Sequence, residues 1–101
     1  MATDTVQLDL NSPVFQRDWF GLEKREQTAL LTTLKKIRAL TWPEVQTDAG
    51  LKWEAIQSRR GPDGQRLCSL RISRSFRALA YREGAWLRLL SLHPDHDSAD
   101  R

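Results

Sequence analysis

Five short segments of the chain have apolar residues at the spacing of β-strands. In the clearest of them, residues 5–10, apolar and polar side chains alternate with period two, which is typical of a strand with one buried face. The other four predicted strands are residues 51–56, 66–72, 76–82 and 86–92. Short connections separate the last three strands, and this spacing predicts an antiparallel meander.

A helical period follows the first strand. Ser12 is a residue type that caps helices, and Pro13 suits the first helical position, so a short helix is predicted from Pro13 to the break at Gly21. A longer amphipathic helix is predicted from about 22 to 40, with Lys and Arg on its polar side. Its apolar stripe consists of Leu30, Leu34 and Ile37.

The Trp42-Pro43 pair cannot continue that helix, because Pro lacks an N–H and disfavours the α conformation in the residue before it. We predict a connector from there to about Gly50. The element order is then β-α-α-β-β-β-β, which indicates an α+β fold: a two-helix hairpin packed on one face of a mostly antiparallel sheet. The helical stripe is expected to pack on strand residues such as Leu70 and Ile72, and the opposite face of the sheet is left open.

Length and composition predict one soluble, cytoplasmic domain spanning residues 1–101. The chain has 101 residues, of which 40% are hydrophobic, and it has no apolar stretch of the roughly 18 residues that a membrane span needs. The N-terminus has no signal-peptide pattern. A single Cys68 cannot form an intramolecular disulfide, and we interpret it as a small buried residue.

Positive charge is concentrated in the strand region. Residues 51–92 carry nine Lys and Arg against three Asp and Glu, a net charge of +6. Eight of the nine are Arg, whose planar guanidinium suits phosphate and carboxylate groups. This favours a polyanion or an acidic protein as partner. The alternative is that these Arg side chains only solvate the outer face of a sheet.

Arg77 stands out because it lies in an otherwise apolar predicted strand, where an unpaired buried cation is unfavourable. It therefore either forms an ion pair, with Glu54 or Asp95 as the partner, or points into an open site. Arg71 and Lys52 have the parity to share a sheet face with it, and the three would form a cationic patch.

The segment after the last strand brings together both His residues and two carboxylates: His93, Asp95, His96 and Asp97. Their spacing matches no strong metal signature, and the chain has no Gly-rich phosphate loop, so we expect neither a metal nor a cofactor. Such side chains can transfer protons near neutral pH. The alternative is a solvated terminus without a role.

Together these features resemble the RelE/ParE superfamily of bacterial type II toxins. The resemblance rests on Phe15 and Trp19 before a Leu-rich helix, the Trp42-Pro43 break, and residues 51–53, 69–82 and 89–97. It implies a compact toxin that a cognate antitoxin neutralises. In the RelE-like branch it implies an endoribonuclease that cuts mRNA in the ribosomal A site. HigB-like and YoeB-like members have His and Asp near the C-terminus, as this chain does, whereas other members have a Tyr there.

The resemblance also suggests site residues. Arg77 is similar to the Arg that contacts the scissile phosphate, and the other proposed catalytic residues are Lys52, His93, Asp95 and His96. The predicted substrate-binding residues are Arg71, Arg74, Tyr81 and Arg82. Two alternatives remain: a ParE-like inhibitor of DNA gyrase, and a degenerate toxin that only binds an antitoxin.

Overall fold

The structure, a computed structural model, describes residues 5–94. Along this part of the chain three helices and five strands follow one another. They are β1 (Gln7–Asp9), α1 (Pro13–Phe20), α2 (Lys24–Arg38), α3 (Trp42–Thr47), β2 (Glu54–Arg60), β3 (Arg66–Ser73), β4 (Phe76–Glu83) and β5 (Trp86–His93). None of these helices is long and apolar enough to cross a membrane.

The five strands form one sheet in the order β1-β5-β4-β3-β2. The meander β2-β3-β4-β5 is antiparallel throughout, and β1 joins β5 as a parallel edge strand. The predicted α+β fold with a mostly antiparallel sheet is therefore confirmed. The single parallel pair arises because α1 and α2 lie between β1 and the rest of the sheet in sequence and return the chain to the same end.

The helices pack on one face of the sheet, as expected. α1 contacts β5, and α2 contacts β3 and β1. The apolar stripe of α2 is at most 6% exposed, and it shares one core with Leu70 and Ile72 of β3. The hydroxyl of Thr33 donates a hydrogen bond of 3.1 Å to the Ile72 carbonyl oxygen, which fixes α2 over that strand.

Both predicted helix starts have a local cause. The Ser12 hydroxyl accepts a hydrogen bond from the Phe15 backbone N–H at 3.3 Å, and Pro13 occupies the first turn of α1. At the start of α2 the Glu26 carboxylate accepts a hydrogen bond from the Glu23 backbone N–H at 3.0 Å. The long helix is shorter than predicted by two residues at each end.

The connector predicted after Trp42 is wrong, because the chain forms the short helix α3 there. Thr41 caps it: its hydroxyl accepts from the Glu44 backbone N–H, and the Glu44 carboxylate accepts from the Thr41 N–H at 2.9 Å. Pro43 lies in the first turn, where its missing N–H has no partner to lose. α2 ends at Arg38, before Trp42, so Pro43 does not end that helix but lies in the first turn of the next one.

The second predicted strand is also displaced: residues 51–56 were expected, and β2 is Glu54–Arg60. Leu51 is 2% exposed, and its backbone N–H donates to the Asp48 carboxylate at 2.9 Å. Lys52 then adopts a φ of +49°, in the left-handed region that extended strands exclude. Lys52 therefore belongs to a turn before β2 and not to the strand itself.

Candidate functional site

Three cationic or titratable side chains lie in register across the uncovered face of the sheet, which we call the open face. Arg71 of β3 lies directly opposite Arg77 of β4, and Arg77 lies directly opposite His93 of β5. Residues in these positions of adjacent strands share a face and stand within reach of one another. We call Arg71, Arg77 and His93 the cationic row.

The row is electrostatically unbalanced. Like charges placed directly opposite on neighbouring strands are destabilising. Among residues 5–94, no carboxylate forms an ion pair with either Arg71 or Arg77, and the alternative pair between Arg77 and Glu54 is not formed. The Nε of Arg71 is buried, and no described atom accepts its hydrogen bond. Such an arrangement is complementary to an anion that accepts from both guanidinium groups.

A pocket of about 550 Å³ opens over Arg77 and His93. Its other charged residues are Arg59 of β2 and Arg74 in the turn between β3 and β4. Apolar surface comes from Ile56 and Leu79, and hydroxyl groups come from Ser69 and Ser75. We call this the cationic pocket. It offers charge for a phosphate next to an apolar surface on which a base can pack.

His93 is exposed at the end of β5, and its orientation is constrained. Its Nε2 and the hydroxyl of Ser91, two residues earlier on the same face, share a hydrogen bond of 2.9 Å. The bond limits the orientation of the imidazole, which belongs to the residue opposite Arg77. His is the side chain best suited to proton transfer near neutral pH.

Of the remaining predicted residues, Arg74 lines the pocket, and Lys52 lies next to β3. The Arg71 backbone N–H donates a hydrogen bond of 2.7 Å to the carbonyl oxygen of Leu51, the residue before Lys52, and Lys52 is exposed. Arg74 is exposed in the β3–β4 turn. Tyr81 is half-buried on the open face, four residues beyond Arg77 along β4, where it lies opposite Arg88.

The structure does not bring Arg82 to the site. Its parity on β4 places it on the helix-covered side, and its guanidinium carbon lies 4.5 Å from the ring centroid of Trp42. Its Nε donates to the Gly84 carbonyl oxygen at 2.9 Å. Arg82 is therefore part of the packing around α3, and no substrate-binding role follows from its position. Asp95 and His96 lie outside the described residues.

Three polar residues of the cationic pocket were missed by the sequence analysis: Arg59, Ser69 and Ser75. The parity of β3 pairs Ser69 with Arg71, so that residue could have been found by alternation alone. Arg59 could not, because the pairing of β2 with β3 shifts register between Ala55 and Arg60. A shift of one residue changes the face to which every following side chain points.

Two other features can be distinguished from this site. Cys68 is on the helix-covered face, and burial raises the pKa of its thiol, so a thiolate nucleophile is disfavoured.

A second pocket, of about 430 Å³, lies between β1, α1 and α2 and is largely apolar. Among its lining residues are Leu8, Leu10, Trp19 and Leu31, with Lys35 and Arg38 at one side.

The fold is similar to that of two solved toxin structures. One is an archaeal RelE–RelB complex from Pyrococcus horikoshii, with 13% identity, 89% of this chain and 94% of that chain covered, and a TM-score of 0.62. The other is a copper-bound mutant toxin from Helicobacter pylori, with 19% identity, coverage of 92% and 97%, and a TM-score of 0.52. The chain therefore has a RelE-like fold. No protein-family model matches the sequence, and no curated protein matches it.

Proposed function

We propose that this protein is the toxin component of a type II toxin–antitoxin pair and that it acts in the cytoplasm as an endoribonuclease on ribosome-bound mRNA. The observation that carries the proposal is the cationic row, in which two Arg side chains without carboxylate partners among the described residues stand beside a hydrogen-bonded His. The RelE-like fold supports the same class of function.

The chemistry that suits this site is cleavage of RNA by its own 2′-hydroxyl. The 2′-oxygen attacks the adjacent phosphorus, the bond from phosphorus to the 5′-oxygen breaks, and a 2′,3′-cyclic phosphate and a 5′-hydroxyl result. A base must take the proton of the 2′-hydroxyl, and an acid must give one to the 5′-oxygen. Negative charge grows on the phosphate between these two events.

The residues divide these tasks as follows. Arg77 and Arg71 hold the phosphate and stabilise the charge that develops on it, with Lys52 adding positive charge next to β3. His93 transfers one of the two protons. We assign the other proton transfer to His96, with Asp95 orienting an imidazole, on the resemblance alone.

The proposed partner is an antitoxin with an acidic, amphipathic segment. The apolar pocket beside α2 has Leu31 more than half exposed, and Lys35 and Arg38 stand next to it. An apolar surface of this kind beside two cations fits a helix or strand whose apolar side chains are flanked by Glu or Asp.

The test is mRNA cleavage in a reconstituted cell-free translation system, with the cut sites mapped by primer extension. We expect Arg77→Ala to lower the cleavage rate about 100-fold or more, since an oxyanion donor is lost. His93→Ala should lower it by roughly 100- to 10,000-fold. Arg17→Ala is the matched control, because it removes one equally positive side chain that is 74% exposed on α1. It should cleave at the parental rate.

Thermal melting must first show that each variant is folded. If folded Arg77→Ala and His93→Ala proteins cut mRNA at the parental rate, the assignment of the row is wrong. If the parental protein cuts no RNA but inhibits supercoiling by DNA gyrase in a parallel assay, the gyrase-inhibitor alternative replaces this proposal. If it does neither and still binds an antitoxin, the protein is a binding module.

A further inference from the structure

A third pocket lies on the other side of the β3–β4 turn, and it shares part of its wall with the cationic pocket. It has a volume of about 340 Å³. Arg74 and Ser75 line both pockets, so the turn forms a ridge between them. We call the third pocket the turn pocket. Its far wall is the beginning of α2, where Arg25 and Glu26 contribute side chains.

We propose that the turn pocket binds a second phosphate of the same RNA strand, with Arg25 and Arg74 as its ligands. This inference rests on the proposed function, since it extends the RNA path away from the cationic row. Arg74 and Arg77 are three positions apart in the chain, so their Cα atoms are at most roughly 11 Å apart. A strand held at Arg77 therefore needs to continue by only a short distance to reach Arg74 and then Arg25.

The charges of the turn pocket agree with this ligand. Arg25 and Arg74 are exposed, and neither forms an ion pair with a carboxylate within residues 5–94. The two guanidinium groups come from different elements, α2 and the β3–β4 turn, and both face one cavity. Ser73 and Ser75 add hydroxyl donors. No aromatic ring is available for stacking, since Phe76 is 3% exposed, so the strand's backbone is what this pocket can bind.

The negative charge of Glu26 in the wall of the turn pocket repels a bound phosphate. Removal of this charge should therefore strengthen RNA binding, whereas removal of Arg25 should weaken it. One oxygen of its carboxylate is held at 3.0 Å by the Glu23 backbone N–H. Gln can accept the same hydrogen bond. Glu26→Gln therefore removes one negative charge from the pocket wall while the start of α2 keeps its acceptor. RNA that reaches this pocket should bind the Glu26→Gln protein more tightly than the parental protein.

The experiment compares two lengths of labelled 2′-O-methyl RNA, which lacks the attacking hydroxyl and cannot be cut. Binding of a trinucleotide and of a hexanucleotide is measured by fluorescence anisotropy. We expect Arg25→Ala to weaken the hexanucleotide about five- to tenfold and to leave the trinucleotide within about twofold. The control is Arg17→Ala, which removes an Arg that is 74% exposed on α1 and lines none of the three pockets, and it should change neither affinity.

Salt dependence gives a second measurement. Titration from about 50 to about 300 mM salt should show that Arg25→Ala reduces the steepness of log K against log salt by about 0.7 for the hexanucleotide, the contribution of one phosphate in a single strand. Glu26→Gln should strengthen hexanucleotide binding. Circular dichroism melting verifies that all variants keep their folded state.

The outcomes separate this inference from the proposed function. If Arg77→Ala weakens both oligonucleotides and Arg25→Ala weakens neither, the turn pocket does not bind RNA and the proposed function stands. Equal losses for Arg25→Ala and Arg17→Ala would show a general charge effect and overturn the inference. If the parental protein binds neither length, the inference fails, and cleavage in the cell-free translation system decides the proposed function separately. If a poly-glutamate peptide binds with Arg25 dependence and RNA does not, the pocket belongs to an acidic protein partner.

Discussion

The two faces of the central strand β4 have opposite environments. On the helix-covered face, Phe76, Ala78 and Ala80 are at most 3% exposed and belong to the sheet's packed core or adjoin it. On the open face, Arg77 is exposed and Leu79 is half-buried in the wall of a polar pocket. Neighbouring residues of one strand therefore serve different purposes: one face stabilises the fold, and the other presents a positive charge with no carboxylate partner within residues 5–94.

The same contrast holds among the Arg residues of the open face. Arg88 of β5 is held by two carboxylates, at 2.6 Å from Asp9 of β1 and 2.6 Å from Glu83 of β4, and these hydrogen bonds raise the pKa of its guanidinium. Arg71 and Arg77 face each other instead. Arg88 thus ties the parallel edge strand to the sheet, whereas neither of the other two forms an ion pair with a carboxylate in the described part of the chain.

The largest expected effect is on the covered face. Phe15 is 0% exposed in the core between α1 and the sheet, so Phe15→Ala should lower the free energy of unfolding by about 3–5 kcal/mol through lost burial and the cavity that remains. Val14 is its neighbour on α1 and is 44% exposed, so Val14→Ala should change stability by less than about 1 kcal/mol. Urea unfolding measures both. Equal losses would contradict the packing of α1 described above.

An intermediate effect is expected from acid. Burial raises the pKa of Asp9, but hydrogen bonds from the Asn11 backbone and from Arg88 outweigh it and hold that pKa below its ordinary value. A carboxyl whose pKa is lowered by folding stabilises the protein above its ordinary pKa, and the contribution is lost as pH falls through the folded pKa. The melting temperature of the protein should therefore decrease when the pH is lowered below about 4.

The matched variant for the acid prediction is Asp9→Asn, which should be less stable than the parental protein at pH 7 by about 1 kcal/mol, allowing for partial exposure. Its loss of stability between about pH 5 and pH 3 should be smaller than the parental one. If both proteins lose the same stability over that range, the contact between Asp9 and Arg88 does not contribute to folding.

The smallest expected change in stability comes from a substitution on the open face. Unlike the substitutions above, this one should stabilise the protein. Arg71→Gln removes one of two like charges that lie directly opposite each other, so stability should rise by up to about 1 kcal/mol without added anion. Inorganic phosphate should raise the melting temperature of the parental protein more than that of Arg71→Gln. A destabilised Arg71→Gln protein would mean that the guanidinium supports the fold after all.

Periodicity along the chain was sufficient to predict most elements and the face that each would bury. The i, i+4, i+7 spacing of Leu30, Leu34 and Ile37 identified the buried side of α2, and alternation separated Arg77 from Ala78 on β4. Ser12 and Pro13 marked the start of α1. These features depend on contacts within a few residues, which the local sequence contains.

The tertiary structure decided the register of the strands and the position of β1 as a parallel edge strand. It also decided which residues from other elements complete each pocket. Alternation assigns Arg77 to a face, but only the pairing of three strands places it between Arg71 and His93. The register shift in β2 brings Arg59 to the cationic pocket, and the packing of α2 brings Arg25 to the turn pocket. Period two and period 3.6 determine which side of an element a residue occupies, whereas its neighbours depend on long-range pairing that no local pattern encodes.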